Sequence, residues 1–250
     1  MIPYDHDSTF CPGPAFFVLV RMTAALLELD ALVINVELTL ASIIQGVALY
    51  FLTDNARSIF STHDFARWLY VLSGLIIILI FWSRSLTHTL TLIRWPLEFG
   101  HNFLYIACAL GEALLFTRLG DPISWFEVSS AYAIGIWLLF FYDLHLVRPR
   151  EADRPSEASR QLCATIESDQ RRNIKWIIPA LFAYGIFCVV LMKMEPEFFL
   201  RRHGHAWLAA GQVVGLLAYL RYAVRFFRVL APIIAQRQEE RISLVTDGKG

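Results

Sequence analysis

The chain has 250 residues, 56% hydrophobic and 18% charged; its 22 basic and 22 acidic residues cancel, and its mean hydropathy is +0.50. Soluble domains are roughly 45–50% apolar, so the composition indicates a polytopic membrane protein. The absence of net positive charge and of any basic-aromatic motif argues against a nucleic-acid partner.

The opening "MIPYDHDSTFCPGP" is acidic and proline-rich and lacks the basic start of a signal peptide. The next stretch, "PAFFVLVRMTAALLELD", is apolar but broken by Arg21, Glu28 and Asp30. It reads as an interfacial helix that completes an N-terminal segment over 1–30. A hydrocarbon core of roughly 30 Å needs about 20 mostly apolar residues per helix. Six stretches approach that: 31–53, 67–83, 97–117, 123–147, 174–192 and 206–234. The second is short, but Trp68 and Trp82 bracket it as interfacial aromatics do. Residues 148–173 mix both charge signs with Pro and Ser and read as a solvated loop, with room for one short helix. Residues 235–250 form a polar tail. The expected fold is all-α, a six-helix transmembrane domain over 31–234.

Sixteen of the 22 Lys and Arg residues fall on the side of the membrane shared by the N-terminus, the second and fourth connections and the C-terminal end. The positive-inside rule places that side in the cytoplasm, giving an N-in/C-in protein of the plasma (inner) membrane. Arg221, Arg225 and Arg228 follow the last apolar run and read as snorkelling lipid-headgroup anchors.

The third stretch carries the most chemistry. Advancing about 100° per residue from Glu98 puts Asn102, Tyr105, Ala109 and Glu112 within about 40° of it, with His101 and Cys108 on the shoulder. One face is therefore polar over about 21 Å, and Phe103, Leu104, Ile106, Leu110, Leu114 and Leu115 lie opposite, toward lipid. Charge inside a span costs roughly 2.5–3.5 kcal/mol per residue on insertion scales, so it is turned inward or paired. Glu98 fits the first helical turn, beside Arg94; Glu112 lies deep in "ALGEALLF", within reach of Arg118. "EFGH" is a Glu-x-x-His pair that makes Glu98 and His101 weak metal candidates, since the second such motif of a di-metal bundle is absent.

In the first span, Asn35, Thr39 and Ser42 share one face and Glu37 points to the other with Ala41, Ile44 and Ala48. Both faces therefore meet protein, as in a helix packed between the bundle and a neighbouring subunit. Asp143 and His145 do not share a helical face and read as interfacial, and His203 and His205 belong to an external loop. The four cysteines, Cys11, Cys108, Cys163 and Cys188, form no CxxC pair and give no disulfide framework or structural zinc site.

Three functions stay open. The first is an ion or proton pathway, homo-oligomeric, lined by Glu37, Glu98, His101, Asn102, Tyr105 and Glu112. The second is a non-catalytic subunit or assembly factor of a membrane complex, and the third a membrane metal or redox enzyme using Glu98, His101 and Glu112. There is no G-x-S-x-G, H-E-x-x-H or P-loop, so an enzyme is the less favoured class, and no cofactor is assigned. The expected partners are the lipid bilayer and either further copies of the chain or another membrane subunit.

Overall fold

A computed structural model of the chain describes the backbone of residues 14–91, 99–152 and 156–247, and the side chains of 28–29, 31–91, 99–147 and 156–240. The described residues are helical throughout their regular structure and contain no strand. The helices are α1 (Pro14–Ser61), α2 (Phe65–Thr91), α3 (Phe99–Phe116), α4 (Pro122–Ala152), α5 (Glu157–Arg172), α6 (Ile178–Met194) and α7 (His205–Asp247). A π turn, Asn173–Ile177, joins α5 to α6, and a second, Glu197–Arg201, precedes α7.

Among the described residues, five stretches are long and apolar enough to cross a membrane: Ala31–Ser61, Phe65–Thr91, Phe99–Phe116, Pro122–Val147 and Glu157–Met194. They are compatible with an integral membrane location. The sixth expected span, 206–234, lies in α7, which is long enough but is not among those five. The segment ahead of span 1 is not a separate helix: α1 continues without a break through Arg21, Glu28 and Asp30. The second span is longer than expected, reaching Thr91. Its Ser/Thr-rich end stays helical because hydroxyls return to the backbone: Thr87 Oγ1 donates to the Ser83 carbonyl (2.9 Å) and Thr91 Oγ1 to the Thr87 carbonyl (2.6 Å).

Much of the presumed loop 148–173 is also helix. Ser156 caps α5 by accepting from the Ser159 N–H (3.2 Å), and Arg171 pairs with Glu167 one turn earlier (2.6 Å). Ala158, Leu162 and Ile166 form its buried stripe against α4 and α7.

The helices close a ring. α1 packs on α2 and α3, α3 on α4, α4 on α5 and α6, and α7 returns to α2 and α5. One end of the ring is filled by Tyr70, Phe116, Trp125 and Phe126, all fully buried. There the Tyr70 hydroxyl meets His205 Nδ1 (3.1 Å), so His205, expected in an open loop, is a buried link from α2 to α7. Burial pushes its imidazole below the ordinary histidine pKa. The outer surface is apolar, as lipid requires: on α3, Phe103, Ile106, Leu110 and Leu114 are exposed. Leu115 was expected with them, but it turns inward and is fully buried in the aromatic end.

Candidate functional site: a cavity with a polar end

The polar face of α3 is turned into the ring, as its spacing predicts, but its members take different partners. Asn102 Nδ2 donates to Glu37 Oε1 of α1 (2.7 Å), and both residues are buried. That pair leaves the α1 face of Glu37, Ala41, Gln45 and Ala48 buried inside the single chain. Asn35, Thr39 and Ser42 stay exposed, with the Thr39 and Ser42 hydroxyls bonded to carbonyls one turn back.

His101 turns the other way. Its Nδ1 lies 2.8 Å from Asp143 Oδ1 of α4, and His88 Nδ1 of α2 lies 3.4 Å from Asp143 Oδ2. The two imidazoles stack with centroids 4.2 Å apart and planes 12° from parallel. All three residues are buried. Asp143 is therefore not the interfacial group that its place near the end of span 4 implied. His145, two residues on, is exposed. His88 carried no recognisable signal: it stands in "SLTHTLT", beyond the expected end of the second span.

One turn further along α3, Tyr105 stacks on Phe81 of α2 (4.8 Å, 12°). Glu112 follows, fully buried, and neither carboxylate oxygen accepts a hydrogen bond. Gln45 approaches from α1 without a hydrogen bond of acceptable geometry, and Tyr105, Cys108 and Tyr132 are its electrostatic neighbours. Glu98 and Arg94 lie outside the described residues. The described members of the expected pathway set, Glu37, His101, Asn102, Tyr105 and Glu112, are all buried inside the ring. Glu37 with Asn102, His101 with Asp143, and Glu112 form three separate buried groups.

A second buried charge network stands beside the first. Arg84 of α2 forms a short ion pair with Asp169 of α5, and the Tyr222 hydroxyl of α7 donates to the same carboxylate. Asn173 Nδ2 donates to the Asp169 carbonyl (2.8 Å), while its Oδ1 accepts from the Tyr219 hydroxyl (2.7 Å). The Arg84 guanidinium is held between the Phe140 and Phe226 rings, 5.1 and 5.6 Å from their centroids. A planar, delocalised cation suits such a slot, and a lysine would lose the stacking.

Both networks line one cavity of about 520 Å³ among α2, α3, α4, α5, α6 and α7. Its wall is divided along the bundle axis. One end presents Arg84, His88, His101, Asp143, Asp169 and Gln170; the other is made mostly by apolar side chains, Ile77, Ile80, Ile136, Leu181 and Leu216, with Ser129, Tyr184 and Gln212 among them.

No family model, curated protein or solved structure matches this chain. What the cavity holds is thus argued from its own wall. That volume is in the range of small-molecule sites, which are mostly apolar with a few convergent polar groups. Arg221, Arg225 and Arg228, by contrast, are exposed along α7, away from these networks, except that Arg225 borders a shallow groove between α5 and α7.

Proposed function

We propose that this is an integral membrane protein that takes a membrane amphiphile, with one long hydrocarbon chain and a compact polar head, into the cavity of its helix ring. The observation that carries this reading is the division of the cavity wall. An apolar body receives the chain, and the arginine, histidines and carboxylates at one end receive the head. Ionisable groups buried among membrane helices are retained where they bind or relay something, and five such side chains converge here. In this reading α7 is a sixth crossing, which returns both termini to the cytoplasmic side of the plasma membrane, and its three exposed arginines meet the headgroups.

Gly215 provides the test. It lines the cavity, and a Cβ built there meets nothing within 4 Å, so a phenylalanine has room to enter. Gly215→Phe is expected to keep the wild-type thermal midpoint while sharply reducing uptake of a fluorescent long-chain amphiphile by protein in nanodiscs. Equal uptake by wild type and variant would refute a ligand in this cavity.

A second reading, a proton or cation pathway, is favoured by Glu112 specifically. A fully buried carboxylate with no hydrogen-bond partner is costly, so its retention calls for a use. Gln45 and Tyr105 lie between it and the histidine cluster, a file of polar groups inside one chain and not between subunits. Glu112→Gln removes the ionisable group at constant shape. It is expected to raise thermal stability, and in proteoliposomes to abolish proton flux if the pathway exists. Wild-type liposomes that sustain no flux under any gradient would end this reading. The exposed Asn35, Thr39 and Ser42 of α1 are where a further copy or another membrane subunit would dock.

A further inference from the structure

We infer that His88, His101 and Asp143 form a binding site for one divalent transition-metal ion at the polar end of the cavity. Each residue offers one ligand atom, and these atoms lie within 4.8 Å of one another, all on buried side chains. They come from the middle or end of three different helices, α2, α3 and α4, so rigid elements fix their spacing.

The distances bring the three groups near to a ligand set. Zinc–nitrogen and zinc–oxygen bonds of about 2.0–2.2 Å at tetrahedral angles put neighbouring ligand atoms about 3.3 Å apart. The His88–Asp143 separation is already 3.4 Å. The His101–Asp143 separation is 2.8 Å, to the other carboxylate oxygen; that hydrogen bond must open by about 0.5 Å, and binding through one oxygen needs the carboxylate to turn. An ordinary structural ion pair needs one imidazole per carboxylate. Here two stacked imidazoles turn Nδ1 to the two oxygens of one carboxylate, and stacking would oppose protonating both.

The donor set names the class of ion. Two imidazoles and one carboxylate favour zinc, iron(II), cobalt or manganese over calcium or magnesium, which take oxygen, and over copper(I), which takes sulfur. Three protein ligands leave a tetrahedral ion one open position, and all three residues line the cavity. A ligand's polar head or a water completes the shell from that side. The site does not depend on the amphiphile reading, since a metal can bind here whether or not the apolar body is filled.

The experiment is a zinc titration of chelator-treated, full-length protein in nanodiscs, followed by calorimetry and by the metal content of washed protein. Wild type is expected to retain one zinc per chain and to gain thermal stability on binding. Cobalt(II) in the same site should give the visible absorption of a tetrahedral nitrogen–oxygen centre. Removing a direct ligand costs at least the roughly 100-fold upper end of second-shell effects, so His88→Gln, His101→Gln and Asp143→Asn should each lose that much affinity. His145→Ala, which changes an exposed imidazole two residues from Asp143, should match wild type. Wild type that holds no zinc overturns the site whatever the variants do. Stoichiometric zinc that survives in His88→Gln and Asp143→Asn overturns it equally.

Discussion

Replacing Arg84 by methionine is expected to destabilise the folded protein by about 3–5 kcal/mol, the usual cost of breaking a buried ion pair from one side. The guanidinium side chain is 11% exposed and the Asp169 side chain 2%, so solvent cannot take over for either partner. Methionine keeps much of the apolar stem between Phe140 and Phe226 but leaves Asp169 charged and buried, with Tyr222 as its one side-chain donor. Pairing the change with Asp169→Asn should recover a large part of the loss, because the uncompensated charge then disappears. The comparison pair is Arg160–Glu157 on the outer face of α5, with side chains 61% and 77% exposed. Breaking that bridge with Glu157→Ala should leave the unfolding midpoint where it was. Reversible unfolding of the four proteins in mixed micelles measures all of this. A loss below about 1 kcal/mol for Arg84→Met, the scale of a surface pair, would show that the network is wet.

The second large effect is expected at Gly185, where α6 crosses α4. A Cβ there would overlap the Ser130 hydroxyl and lie 3.4 Å from the Phe126 carbonyl oxygen, which already accepts from Ser130 Oγ (2.8 Å). Small residues let membrane helices approach this closely, and dispersion between backbones then holds them. Gly185→Leu must separate α4 from α6, a strain of about 1–3 kcal/mol or more. It also opens the cavity wall, since Gly185 lines it. Gly46→Ala is the opposite case. Gly46 is exposed on α1 with nothing within 4 Å of an added Cβ. Helix propensity alone should then leave the protein unchanged or stabilise it by up to about 1 kcal/mol. Thermal midpoints in one detergent rank the two. A Gly185→Leu protein as stable as wild type would mean that the α4–α6 crossing is looser than its geometry implies.

The inward face of α3 was legible from spacing because the helix is apolar on one side only. His101, Asn102, Tyr105, Cys108, Ala109 and Glu112 are buried together, while the facing apolar residues, Leu115 apart, look outward or sit half-covered. What each polar group meets was not legible. A wheel ranks directions around one axis, and His101 and Asn102, neighbours in sequence, diverge to α4 and to α1. Asp143 and His88 stayed hidden for related reasons. Each stands near the polar end of an apolar run, where exposure is the usual fate, and burial comes from helices distant in sequence. The helix α5 was masked by its charges. Eight of its sixteen residues are Glu, Asp, Arg or Gln, and its buried face of Ala158, Ser159, Leu162, Cys163 and Ile166 holds only two large aliphatic side chains.

The π turn between α5 and α6 sets a rotational phase. Ile178 N–H reaches back five residues to the Asn173 carbonyl, so the helix carries one residue more than an α-helical turn would. Asp169 and Gly185 stand sixteen positions apart, which in an unbroken α-helix would point them about 160° from each other. One extra residue swings the later segment back by about 100° and leaves them about 60° apart. A surface-like amphipathic segment and an apolar membrane segment thus aim their functional sides at the same interior, from one continuous rod. The extra residue works as a keyway: it fixes the angle at which Asp169 arrives opposite Arg84.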